Sequence, residues 1–259
     1  MTRGLFSSLL FLLSIACGAD KAAASGATAA VTAGAAFEGV IDLNVAMEAG
    51  SGDLRLFTAG ERAKLEMKLL VNPLPAPIEL GVLLDPKQPD VLFLVNDNLR
   101  TYSSIDVTPK ATAADDPSLG KYALKVLGKE KRLGYPCTHV TLTRKNELVD
   151  AWITQDFPEV YAVLKKLQAA NPQFGQAEAF RALEAAGQAG LPMRCIVVRD
   201  GQRVTTEVRK IERKKVPAAV FAVPADYKRS ELAAAGGLQP TPEQVEEMQK
   251  IIQNALQGK

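Results

Sequence analysis

Residues 37–47 read FEGVIDLNVAM and residues 61–71 read ERAKLEMKLLV. In the first stretch Phe37, Ile41, Leu43, Val45 and Met47 fall on one side of a two-residue period, and Glu38, Asp42, Asn44 and Glu48 fall on the other. In the second, Ala63, Leu65, Met67, Leu69 and Val71 alternate with Arg62, Lys64, Glu66 and Lys68. Successive side chains of a strand point to opposite faces, so this period predicts half-buried β-strands. Gly60-Glu61, after Phe57, reads as a hairpin turn. Gly50-Ser51-Gly52 reads as a second turn, because it lacks the third glycine of a dinucleotide-binding loop.

Outward from these runs the same grammar continues. Leu80–Leu84 and Val91–Val95 are continuous apolar runs separated by the turn-forming Asp85-Pro86-Lys87-Gln88-Pro89-Asp90. Further strands are expected at 99–105, 121–128, 136–144, 147–154, 192–199 and 203–213, the last two joined by Asp200-Gly201. Short strands with one apolar face predict an antiparallel sheet buried on one side. Asp156-Phe157-Pro158-Glu159 carries the signals of a helix start, with Pro in the first turn. Val160, Val163, Leu164 and Leu167 then recur at helical spacing. A second helix is expected from Asn171-Pro172, turning Phe180 and Leu183 inward. Thr241-Pro242-Glu243-Gln244 opens a last amphipathic helix with Val245, Met248, Ile252 and Ala255 on one stripe, after a linker at Ala233–Gln239.

The N-terminus, MTRGLFSSLLFLLSIAC, has Arg3 followed by an apolar segment from Leu5 to Ile15. About 20 apolar residues are needed to span a bilayer, so this segment fits a signal peptide over residues 1–16 instead. Ser14-Ile15-Ala16-Cys17 resembles a bacterial lipobox, which makes Cys17 the expected lipidation site; ordinary cleavage nearby is the alternative. Gly18 after the cysteine implies an outer-membrane destination facing the periplasm. Residues 17–36 are the lipidated cysteine and an Ala/Gly/Ser/Thr-rich tether, whose r.m.s. span is on the order of 25 Å. The sheet domain is expected over 37–230, and a linker with the C-terminal helix over 231–259.

Net charge is +2, which gives no global electrostatic case for nucleic acid. His139 is the single histidine, and neither a P-loop nor a Gly-x-Ser-x-Gly elbow occurs. Cys137 and His139 share a strand face, but a zinc site needs two further ligands. No catalytic residue, metal or cofactor is assigned. With Cys17 acylated, Cys137 and Cys195 form an even pair in an oxidising compartment and are expected as a disulfide, with two buried thiols as the alternative. The basic run Arg209, Lys210, Arg213, Lys214, Lys215 reads as a solvated strand face or a contact for anionic headgroups. Trp152 beside Tyr161 is a core pair or a cavity wall.

The stretches KVLGKEKRLGYPCTHVTLTRKNELVDAWITQD (125–156) and VRKIERKKVPAAVFAVPADY (208–227) resemble a bacterial family catalogued as domain of unknown function 4412. The marks are Gly134-Tyr-Pro-Cys-Thr-His139, the Trp-Ile-Thr strand, and the closing Val-Pro segment. The resemblance implies a fold like the periplasmic lipoprotein carriers: a curved antiparallel sheet, an unclosed half-barrel, with helices on its concave face. It also implies an apolar cavity for a hydrophobic small molecule or lipid. The candidate cavity residues are Phe37, Ile41, Leu43, Leu65, Met67, Leu69, Trp152, Val163, Leu167 and Phe180. A non-catalytic envelope scaffold with a filled core is the other expectation.

Overall fold

The protein is described by a computed structural model covering residues 36–72, 76–106, 121–169 and 177–230. The expected signal peptide, Cys17 with its tether, the helix start at Asn171, and the C-terminal linker and helix of 231–259 lie outside these residues.

The described chain is mainly β. Its strands are β1 (Glu38–Met47), β2 (Gly50–Ala59), β3 (Arg62–Val71), β4 (Ile78–Leu84), β5 (Val91–Asn96), β6 (Thr101–Asp106), β7 (Ala123–Arg132), β8 (Tyr135–Arg144), β9 (Glu147–Thr154), β10 (Leu191–Arg199), β11 (Gln202–Arg213) and β12 (Lys228–Arg229). Two helices, α1 (Pro158–Ala169) and α2 (Ala177–Ala185), lie between β9 and β10. All twelve strands form one unclosed, curved sheet in the order β12-β6-β5-β4-β3-β2-β1-β11-β10-β9-β8-β7. Neighbours are antiparallel except β12, which runs parallel to β6. The sheet is thus two meanders joined where β1 meets β11. At that seam the backbones come close: a Cβ on Gly39 would lie 2.0 Å from the Glu212 carbonyl oxygen, so only glycine fits.

The alternation predicted for 61–71 is seen directly in β3, where Ala63, Leu65, Met67, Leu69 and Val71 are buried and the residues between them are not. β2 departs from the sequence reading. Gly50-Ser51-Gly52 is not a turn but the start of a strand paired with Leu69–Val71, the turn falling at Glu48-Ala49. A Cβ on Gly52 would lie 2.6 Å from the Lys68 carbonyl oxygen, so these glycines serve close strand approach.

The helices pack on the β7–β10 end. Phe157, Val160, Val163 and Leu167 are at most 4% exposed and join the main apolar cluster with residues of β1–β6, β10 and β11. Burying each contributes about 1.5–3 kcal/mol. Ala179, Phe180 and Leu183 of α2 form a second cluster with Val140, Leu142, Val149, Ala151, Ile153 and Cys195. Glu159 in the first turn of α1 and Lys166 in its last turn match the helix dipole. Among the described residues no helix is long and apolar enough to cross a membrane.

Candidate functional site

Strand register decides what meets. His139 pairs with Trp152, Trp152 with Arg194, and Arg194 with Glu207, so four side chains from β8, β9, β10 and β11 form one row on one face. The His139 ring stacks on Trp152 with centroids 4.1 Å apart and planes 11° from parallel. His139 Nε2 lies 2.6 Å from Asp150 Oδ1, which fixes the imidazole edge-on to the neighbouring row.

Two arginines complete the cluster. The guanidinium carbon of Arg132 lies 4.3 Å from the Trp152 centroid, and that of Arg194 lies 5.5 Å from it. A desolvated cation over an indole is worth about 2 kcal/mol. Arg132 also bonds Glu130 at 2.9 Å and reaches Glu207 at 3.8 Å. The tip of the β7–β8 hairpin is thereby held against β9 and β11. Arg194 Nε and Trp152 Nε1 are buried without a hydrogen-bond partner among the described residues. Beneath the tip lies a cleft of about 390 Å³, lined by Glu130, Lys131, Arg132, Leu133, Met193, Glu207, Val208 and Arg209.

The chemistry available here is recognition and clamping. Cys137 shares its strand face with His139, but residues two apart in a strand are separated by about 7 Å. The Cys137 thiol donates to the Tyr135 carbonyl at 3.5 Å, and burial pushes its pKa up, so it stays protonated. Among the described residues no group of three His, Cys, Asp or Glu side chains could hold a metal ion.

The expected Cys137–Cys195 disulfide is not formed: both cysteines are buried free thiols. The register gives the reason. Cys195 pairs with Ala151, which pairs with Val140, whereas Cys137 sits at an odd position of β8 with His139. The two thiols therefore belong to strands separated by β9 and point to opposite faces.

The residues expected to line a cavity are mostly core. Phe37, Ile41, Leu65, Met67, Leu69, Trp152, Val163 and Leu167 belong to the main apolar cluster, Leu43 packs against it half-buried, and Phe180 belongs to the second. Trp152 and Tyr161 are not companions. Tyr161 stacks with Phe180 at 6.1 Å and donates to Glu184 at 3.0 Å, whereas Trp152 faces the arginines. The basic run at 209–215 is largely paired. Arg209 bonds Glu207, Lys210 and Lys214 both bond Glu212, and the Arg213 guanidinium lies 5.1 Å from the Phe37 centroid. Arg132 and Arg194 were not singled out from the sequence. The signal that would have found them is the hairpin register, which brings the Gly134–His139 run onto Trp152.

Among solved structures, the chain is similar to an uncharacterized conserved protein from Thermus thermophilus. That match has 8% identity, covers 74% of this chain and 90% of that one, and has a TM-score of 0.43. It is also similar to MucB in the Pseudomonas aeruginosa MucA/MucB complex, at 12% identity over 74% of this chain and 56% of that one, TM-score 0.40. LprF from Mycobacterium bovis matches at 11% identity over 73% and 90%, TM-score 0.32. No curated protein sequence matches. Residues 37–227 match the model of the family described as domain of unknown function (DUF4412), and the chain belongs to that family.

Proposed function

We propose that this is an exported, non-catalytic cell-envelope protein that holds a hydrophobic ligand, a lipid or acyl chain, against the apolar face of its sheet. A lipid on Cys17 tethers it to the outer membrane, facing the periplasm. One observation supports the ligand reading: a fringe of half-buried apolar side chains borders a main apolar cluster that runs across most of the sheet. Twelve strands at about 4.8 Å spacing span about 50 Å. Each helix is about 10–12 Å across with its side chains, and α1 and α2 pack at β10 and β7. Leu65, Met67, Val82, Leu84, Leu92 and Ile105 of β3–β6 are buried in the same cluster as Val160, Val163 and Leu167 of α1. Half-buried Leu43, Met47, Ile78, Leu80 and Leu94 fringe the same cluster. An alkyl chain laid along this fringe gains about 0.8 kcal/mol per CH₂.

Native mass spectrometry of protein taken from the envelope tests the reading, with displacement of a fluorescent fatty acid in vitro. Co-purifying lipid is expected, and probe binding that Leu65→Trp or Met67→Trp abolishes. A protein that carries no lipid and binds no probe sinks it. A second reading, an envelope interaction protein with a filled core, draws on the low exposure of the expected cavity residues, 0–9% for all but Leu43. It gains if both measurements fail. Cys17→Ser tests the anchor separately: the protein should leave the membrane fraction.

A further inference from the structure

The cleft under the β7–β8 tip joins two environments. Its floor is Met193 and Val208, 1% and 3% exposed and both members of the main apolar cluster. Its rim carries the cations Lys131, Arg132 and Arg209 against the carboxylates Glu130 and Glu207. Those carboxylates are already shared: Glu207 serves both Arg209 and Arg132, and Glu130 also serves Arg132. The rim therefore keeps an excess of positive charge over an apolar floor.

Leu133, at the tip, is the second observation. It turns with φ +49° and is 53% exposed. The left-handed region crowds the Cβ of an L-residue against the following carbonyl, and this turn position favours Asn or Asp. A leucine placed there is strained and wet at once. Strain kept beside a cleft points to a role outside folding.

We infer that this cleft takes an anionic amphiphile, an acyl chain ending in a carboxylate or phosphate. Lys131 and Arg209 hold the head by charge-assisted hydrogen bonds, and Leu133, Met193 and Val208 contact the first methylenes of the chain. The inference rests on the hydrophobic-ligand reading and names the ligand's polar end and its mouth. The volume, about 390 Å³, is that of an ordinary small-molecule pocket.

The test uses the full chain with dodecanoate, 1-dodecanol and inorganic phosphate as probes. Trp152, the one tryptophan of the sequence, reports binding by its fluorescence, with displacement of a fluorescent fatty acid as the second readout. Dodecanoate should bind at least about tenfold more tightly than dodecanol, the factor that one charge-assisted hydrogen bond supplies. Lys131→Gln with Arg209→Gln should erase that preference, bringing dodecanoate binding down to that of dodecanol. Leu133→Asn should weaken both amphiphiles while thermal stability holds or rises, which separates a binding role from a structural one. Equal binding of acid and alcohol, untouched by the double variant, overturns this inference and leaves the hydrophobic-ligand reading standing. Phosphate alone competing as well as dodecanoate reduces the cleft to an anion site and overturns it too. Failure of both amphiphiles overturns this inference, and the reading beneath it falls only if protein from the envelope also carries no lipid.

Discussion

The β7–β8 and β10–β11 hairpins turn through the same backbone shape, two residues at positive φ of which the second is glycine: Leu133-Gly134 in one and Asp200-Gly201 in the other. They are held in opposite ways. β10 lies inside the sheet, with Cys195 and Val197 buried under α2, and Asp200 is tied to Asn146 by a backbone and a side-chain hydrogen bond at 3.2 Å each. β7 is the last strand of the sheet, almost wholly exposed, and its tip is held by Arg132 on Trp152 and Glu207. One turn is built for stability, with the residue its geometry prefers. The other spends stability on an exposed leucine, and a polar latch replaces burial.

The largest expected effect comes from breaking the latch. Trp152→Ala removes the surface on which Arg132, Arg194 and His139 converge and should lower stability by about 3–5 kcal/mol in urea unfolding. Proteolysis should then cut first near Leu133, while Asp200-Gly201 stays protected.

Alkaline pH probes the buried arm. Burial lifts the Cys195 thiol from its ordinary value of 9.0 to about 12. The folded state therefore holds this proton more tightly than the unfolded chain. That contribution is whole below pH 9 and is lost as pH rises toward 12. About 2 kcal/mol should be gone near pH 10.5, and Cys195→Ala should remove that part of the slope.

Exchanging the turn residues sharpens the contrast further. Asp200→Leu imposes on β10–β11 the strain that β7–β8 already bears and should cost about 1–2 kcal/mol by thermal unfolding. The reverse exchange, Leu133→Asn, should gain up to about 1 kcal/mol. A loss at Leu133→Asn would mean that the leucine supports the fold, and the comparison would fail.

Most of the sheet is legible in the sequence because burial on one face writes a period of two into it. β3 shows this most plainly, and the turns at Gly60, Asp85–Asp90 and Asp200-Gly201 carry their own chemistry. β2 escaped because its first residues, Gly50 and Gly52, have no side chains with which to show a period. The cluster at Trp152 was half legible. His139 and Trp152 were each visible, but their meeting depends on the register of β8 against β9, which no local pattern encodes. The disulfide expectation failed for the same reason: counting cysteines ignores which face of which strand each one occupies.

The seam between β1 and β11 has a consequence for how the chain reaches this structure. A hydrogen bond of 2.9 Å from the Val216 amide to Glu38 Oε1 closes a loop of 178 residues. Contacts of such high sequence separation slow folding, because the closure entropy must be overcome before the contacts form. The first meander can assemble early, but β1 then offers an open edge until β11 has been made and delivered. During that interval the protein is a sheet with an unfilled side, able to add a strand from another chain. Completion of the sheet is therefore a race between its own β11 and a neighbour's strand.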